Sequence, residues 1–424
     1  MKYQELLDYI YRRHSGNVKL GLDRMLNILA AMNTPNTKLR GFHIAGTNGK
    51  GSTAAMLEAM TLAHGLTTGL NTSPHLVDYR ERIRVNGTNI SLEELGALYK
   101  EWQQVFEANE ASFFEITTGM AFWHFFQKEV DTSIFEVGLG GRLDGTNPFA
   151  STICAITSIA YDHTKSLGNS LEKIATEKAG IIKDDTPLVL GDIPDAALDV
   201  ILPIAKKHNA PVMCYGNNFG AGNIELTEDG TRFTYYDCQC KHSITTNLLG
   251  KHQAHNAAVA IAAFKLYMNA RGLAIDWDAV TNALRQVNWP GRMQILRTEP
   301  TVLIDGAHNE EGMTALVSNL KQIFPNKRIL FVLAILRDKN LESIIKMVCE
   351  VSDVLYISKN ESTRAAEIED QANIASRFAT PYKTIPHVVD AAKAAIAEAN
   401  ADDLVVISGS LYTISEVLKV IDEL

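Results

Sequence analysis

Lys50 and Ser52 close the run His43-Ile44-Ala45-Gly46-Thr47-Asn48-Gly49-Lys50-Gly51-Ser52, in which an apolar segment enters a glycine-rich turn. Glycines let consecutive backbone N–H groups face one anion, and Lys50 adds a point charge. A helix starting near Gly51 would aim the positive end of its dipole at the same spot. Such a loop is a phosphate cradle, and it predicts a nucleoside triphosphate as ligand. The spacing departs from G-x-x-x-x-G-K-[ST], because Ile44 stands where the first glycine belongs and Gly51 separates Lys50 from Ser52. Taken alone, so short a segment also suits a plain Gly/Asn turn between strand and helix.

A second chemical run is Glu136-Val137-Gly138-Leu139-Gly140-Gly141-Arg142-Leu143-Asp144-Gly145-Thr146-Asn147. Here a carboxylate leaves the apolar segment Thr132 to Val137 and enters a glycine loop, where Glu136 could hold magnesium against phosphate oxygens. It could also simply pair with Arg142. Tyr161-Asp162-His163 follows the apolar run Ile153 to Ile159 and puts acidic and imidazole groups on the same rim, although a lone histidine is often a surface residue. Lys178, in Glu177-Lys178-Ala179-Gly180, reads by itself as a solvated helix lysine. Cys238, Cys240 and His242 alternate and would share one side of a strand, but no C-x-x-C pair or fourth ligand accompanies them as a zinc site needs.

The elements that must carry these groups alternate. Strand-like runs at Phe42 to Ala45, Gly69 to Asn71, Thr132 to Val137, Ile153 to Ile159 and Pro187 to Leu190 are separated by helical patterns after Lys50, at Ser91 to Asn109 and at Phe114 to Val130. This alternation predicts an α/β fold with a doubly wound, mostly parallel sheet. Asn223 to Asn247 is turn-punctuated and β-rich, which predicts a small antiparallel addition. Helices are expected at Gln253 to Ala270 and Trp277 to Val287. Trp289-Pro290-Gly291-Arg292 then breaks the pattern, and a new series of strands starts at Thr301 to Ile304, with Ile329 to Leu333, Val354 to Ile357 and Leu404 to Ile407 following. Two domains result, 1–290 around the phosphate loop and 291–424 as a smaller Rossmann-like sheet.

The 424 residues are 46% hydrophobic and 21% charged, near the averages for folded proteins, and the net charge of -9 gives no basic face of the kind nucleic acid requires. Anionic small molecules are the expected ligands. No apolar run approaches the roughly 20 residues that span a bilayer, and the first fifteen residues lack the apolar stretch of a signal peptide. Five dispersed cysteines point the same way, to a reducing compartment and a cytoplasmic protein without membrane partners.

In order along the chain, GTNGKGS (46–52), TSPHL (72–76) with RERI (80–83), EVGLGGRLDGTN (136–147), YDH (161–163), EKAGIIK (177–183), HQAHN (252–256), WPGRM (289–293), DGAHN (305–309) and SGSLY (408–412) resemble the folylpolyglutamate synthase and dihydrofolate synthase family, relatives of the Mur ligases. The likeness covers almost the whole chain. It implies an ATP-dependent ligase that phosphorylates the terminal carboxylate of a folate and lets the amine of L-glutamate displace the phosphate, with a monomer as the working form. Residues 1–290 would bind ATP and folate, and 291–424 glutamate.

The resemblance also distributes roles. Asn48, Gly49, Lys50, Gly51, Ser52, Asn256, Arg292 and Asp305 would contact ATP, with Lys50 on its terminal phosphates. Ser73 and Glu136 would ligate one magnesium, and His163 with a carbamylated Lys178 a second, so that a lysine turned carboxylate can sit beside a cation. His75, Tyr79 and Arg82 would bind folate, and His308 and Ser408 glutamate; Lys50, Lys178 and His308 would be catalytic. An enzyme that also joins glutamate to dihydropteroate is the alternative within the family. A Mur-type ligase would need a UDP-binding domain ahead of the loop, and only 45 residues precede Gly46. A nucleotide switch lacks support, since no N-K-x-D motif is present.

Overall fold

A computed structural model describes residues 3–13 and 21–421. Two compact units result, one of Met1–Gly222, Thr234–Ile244 and His255–Val287, the other of Asn223–Phe233, Thr245–Ala254 and Asn288–Leu424.

The first unit is built on an eight-stranded sheet. Its strands run, from one edge, Thr88–Asn89, Ile83–Val85, Thr68–Asn71, Thr132–Glu136, Gly41–Ala45, Ile153–Ile156, Leu188–Leu190 and Val212–Cys214. The last six are parallel, and the first two form an antiparallel hairpin on the edge. The segments GFHIA and TSIFE are buried at every position, because helices cover both faces of a parallel sheet. Phe122, Phe125, Phe135 and Phe149 pack as an aromatic core on one face, with ring centroids 4.2 Å apart for Phe122 and Phe135. Helices Leu92–Ala108 and Phe113–Gln127 each open with a capping box, Ser91 with Glu94 and Ser112 with Glu115, which satisfies N–H groups the helix itself cannot.

Register decides what meets at the carboxyl edge. Ile44 pairs with Glu136 and Ala45 with Ile156, so the phosphate loop, the glycine loop and the segment after Ile156 leave the sheet side by side. The opening of the helix Lys50–Ala63 is capped by Gly49 in a left-handed conformation, φ +85°.

The second unit carries a six-stranded sheet in the order Gln294–Thr298, Thr301–Ile304, Leu404–Ser408, Ile329–Leu333, Val354–Lys359, Tyr382–His387, parallel except for the first strand. A small antiparallel sheet of Lys241–Thr246, Gly230–Asp237 and Phe219–Thr227 completes the fold, at the β-rich stretch expected from sequence.

Candidate active site

The phosphate loop is held open by its neighbours. Thr47 and Asn48 donate their backbone N–H groups to the carbonyl and hydroxyl of Ser158, both at 2.9 Å, and the Thr157 hydroxyl donates to the Asn48 carbonyl at 2.6 Å. Two glycines are required. A Cβ on Gly46 would lie 1.9 Å from Thr157 Oγ1, and one on Gly49 2.2 Å from Asn256 Oδ1. Asn256 is thereby fixed against the loop by the helix Lys251–Ala270. Lys50 curls back over the turn and donates from Nζ to the carbonyls of Gly46 and Thr47, at 3.0 and 3.1 Å. Gly51 and Ser52 are buried in the first helical turn, where unpaired N–H groups and the dipole favour an anion.

Beside the loop, Glu136 is buried and accepts the backbone N–H of Ser73 at 3.1 Å through Oε2. The Ser73 hydroxyl is buried too and has no hydrogen-bond partner among the described residues. A carboxylate next to an unsatisfied buried hydroxyl suits a hard cation that takes oxygen ligands and completes its shell with phosphate and water. Arg142 does not pair with Glu136. Its guanidinium goes to Glu177 Oε1 at 2.7 Å, and its backbone N–H to the Glu177 carbonyl.

Lys178 is only 4% exposed, and its Nζ donates to the Gly46 carbonyl at 2.7 Å. Burial, and after it the nearby Lys50 charge, lower its pKa to about 7 against the opposing pull of Asp162 and Asp144. His163 stands in a left-handed conformation with Nε2 3.9 Å from Asp162 Oδ2 and its side chain largely exposed.

On the next segments, Arg82 donates from Nε to His75 Nδ1 at 2.7 Å and lies over the Phe113 ring, while the Tyr79 hydroxyl bonds Thr117 at 2.7 Å. Tyr79 and Arg82 are buried, which leaves His75 the more open of the three. In the second unit, Asp305 is buried and accepts the backbone N–H groups of Met293 and Ala307, each at 2.8 Å. Burial pushes its pKa up against the opposing effect of Arg292. His308 Nδ1 bonds the Gly306 carbonyl at 2.8 Å, so in the neutral ring Nε2 carries the lone pair. Ser408 is fully buried beneath this turn, with Oγ 3.5 Å from the Ala307 carbonyl.

Residues 44–264 match the Mur ligase middle domain, and residues 291–411 the Mur ligase glutamate ligase domain. The dihydrofolate synthase/folylpolyglutamate synthase of Bacillus subtilis is 37% identical, over 98% of both chains. The chain belongs to the folylpolyglutamate synthase/dihydrofolate synthase family. It is an ATP-dependent ligase that joins L-glutamate to a folate. The Escherichia coli protein of the same description is 34% identical over 98% of this chain and 94% of its own. A Mycobacterium tuberculosis folylpolyglutamate synthase complexed with ADP superposes with a TM-score of 0.93 at 30% identity, covering 99% and 98% of the two chains. An E. coli structure in complex with DHPP and ADP does so at 0.90 and 32%, with the same coverage.

Within this ligase the sequence reading passed over three groups that build the site. Thr157 and Ser158 hold the phosphate loop, and their signal was a pair of hydroxyls directly after a strand. Asp144 is buried and receives the backbone N–H groups of Gly138 and Leu139 at 3.1 and 2.9 Å, which fixes the backbone just beyond Glu136. Its signal was a second acidic residue inside the glycine loop that follows Glu136. Cys238, Cys240 and His242 do not converge: the His242 ring lies flat on Trp277 with centroids 3.6 Å apart, and Cys240 faces Lys265 and Asp237.

Proposed function

We propose that residues 1–290 bind ATP and the folate, that residues 291–424 bind glutamate, and that the γ-carboxylate of a reduced folate is the acceptor. The observation that carries the site assignment is the convergence of Lys50, Lys178, Glu136 and Ser73 on the phosphate loop. In the first step the acceptor carboxylate attacks the γ-phosphorus and ADP leaves, giving an acyl phosphate. In the second the glutamate amine attacks the acyl carbon and phosphate leaves.

Both reacting groups of the first step are anions, so their approach needs cationic neutralisation. Lys50 supplies it at the terminal phosphates, and Asn48 to Ser52 supply backbone N–H groups. Ser73 and Glu136 would hold one magnesium, and His163 with Lys178 a second; bound magnesium would offset phosphate charge. For that role Lys178 is carbamylated, its neutral amine taking up carbon dioxide and releasing a proton to become a carboxylate. A pKa near 7 makes the neutral amine accessible. His308 Nε2 takes the proton of the attacking amine, and Asn256, Arg292 and Asp305 hold the nucleotide. His75, Tyr79 and Arg82 line the folate side, and Ser408 supports the turn that carries His308.

A second reading, that the enzyme also joins glutamate to dihydropteroate, is supported by the double description of the B. subtilis and E. coli relatives. Assaying ATP-dependent phosphate release with dihydropteroate and with tetrahydrofolate separates the two. A cytoplasmic location belongs to this proposal, supported by five free thiols; among the described residues no helix is long and apolar enough to cross a membrane. We take the monomer as the working form.

A further inference from the structure

Glu81 stands inside the segment that carries His75, Tyr79 and Arg82 and has no role in the account so far. Its half-buried side chain gathers three consecutive backbone N–H groups. Leu76 donates to Oε2 at 2.6 Å, and Val77 and Asp78 donate to Oε1 at 2.9 and 2.7 Å. Successive N–H groups turned to one side make a concavity for an anion, and here the chain fills it with its own carboxylate.

The backbone of the same residue closes the segment at its neck. The Thr72 hydroxyl donates to the Glu81 carbonyl at 3.3 Å, while the Thr72 N–H and the Asn71 amide donate to the next carbonyl, that of Arg82, at 3.3 and 2.8 Å. These bonds continue the pairing of Thr68–Asn71 with Ile83–Val85, so residues 73–80 form a loop whose ends are held together. Arg80 turns to Asp78 instead, donating its N–H at 2.8 Å and its guanidinium at 2.7 Å.

What this order serves is the row of side chains on the loop. His75 comes directly before the three N–H groups, Tyr79 directly after them, and Arg82 directly after Glu81. Arg82 Nε donates to His75 Nδ1 at 2.7 Å, so a neutral His75 carries its proton on Nε2, which lies 3.3 Å from the Tyr11 hydroxyl. The spacing of these side chains depends on the path of residues 76–78 between them, and Glu81 sets that path.

We infer that Glu81 is a positioning residue of this ligase, which holds the loop 73–82 in its acceptor-binding shape before the folate arrives. The inference rests on the proposed reading of His75, Tyr79 and Arg82 as the folate side. Surface loops are ordinarily mobile, and one that is already ordered spares binding the entropy of fixing it. The charge matters as well as the length: a carboxylate accepts all three N–H groups, whereas a glutamine in the same place turns its NH2 toward at least one of them.

The test is steady-state kinetics of the full chain with tetrahydrofolate, ATP and L-glutamate, joined to amide hydrogen exchange read by mass spectrometry. Glu81→Gln should raise KM for tetrahydrofolate about tenfold, as loss of charge-assisted hydrogen bonds does, with KM for ATP unchanged and kcat at saturating folate near that of the unmodified enzyme. Exchange over residues 74–82 should quicken while the helix Lys50–Ala63 keeps its protection, and Glu81→Ala should shift both readouts the same way. An unchanged KM for tetrahydrofolate despite faster exchange, or a raised KM with the loop amides still protected, overturns the inference. So does an equal rise in KM for all three substrates with a lowered melting temperature, which would make Glu81 a support of the fold alone. Failure of the unmodified protein to turn over tetrahydrofolate overturns the reading beneath it.

Discussion

Lys50 and Lys178 donate to the same atom, the carbonyl oxygen of Gly46, at 3.0 and 2.7 Å. Two ammonium groups on one oxygen repel each other, and burial adds to the cost for Lys178, whose proton is held only to about pH 7. The pair is tolerable where anions are to arrive, or where one lysine changes sign.

The proposed carbamylation of Lys178 would relieve that crowding. The neutral amine of Lys178 grows as pH rises through about 7, so enzyme stripped of carbon dioxide at mildly acid pH should have low activity, and bicarbonate above neutrality should restore it. Lys178→Ala should be nearly inactive, with partial rescue by a short carboxylic acid. Full activity in Lys178→Ala, or a high-resolution map with unmodified Lys178 beside two metal ions, would refute the carbamate. The same shift predicts a stability trend for the unmodified lysine. Between about 7 and the ordinary value of 10.5 the unfolded chain binds this proton and the folded chain does not, so stability rises with pH there, and Lys178→Met should flatten the rise.

Ser73→Ala separates function from folding. The Ser73 hydroxyl is buried without a partner among the described residues, a state that costs about 1–3 kcal/mol in a protein that makes no use of it. Removing it should leave the melting temperature unchanged or raised while activity falls and the magnesium requirement increases. A variant that loses stability and keeps its magnesium dependence would assign the hydroxyl to packing.

Lys50→Ala should cut turnover by about two to three orders of magnitude, the usual effect of losing one preorganised electrostatic contact. The melting temperature should hold, because the Nζ bonds to the Gly46 and Thr47 carbonyls stay within one turn of the same loop. Near wild-type ligation would remove the phosphate role of this loop.

Gly49→Ala should do the reverse and strike the fold of the loop. A left-handed alanine costs about 1–2 kcal/mol before any clash, and its Cβ would lie 2.2 Å from Asn256 Oδ1. Loss of both nucleotide affinity and melting temperature is expected; a denaturation curve that matches the unmodified chain would show that the loop can yield.

How far the sequence spoke depends on burial. Apolar runs such as Ile329 to Leu333 and Leu404 to Ile407 could be placed because both faces of a parallel strand are covered. Tyr382–His387 escaped notice, since it is an exposed edge strand containing Pro386, with no alternation to read. The helix Asp195–Lys207 carries Pro203 in its interior, which masks its periodicity. In the site, the glycine spacing announced the phosphate loop, but the environment of Lys178 did not show: a helix lysine looks alike whether solvated or buried, and only the packing of its helix against Gly46 separates the two. Asp144 was silent for the same reason.

The most direct test of the account is to incubate the protein with ATP, magnesium, L-glutamate and tetrahydrofolate, measuring phosphate release and the product mass together. One phosphate released for each added glutamyl residue, with none released when the folate or glutamate is omitted, is the predicted result. Phosphate release without an acceptor, or glutamate transfer only to a UDP-muramoyl substrate, would contradict it.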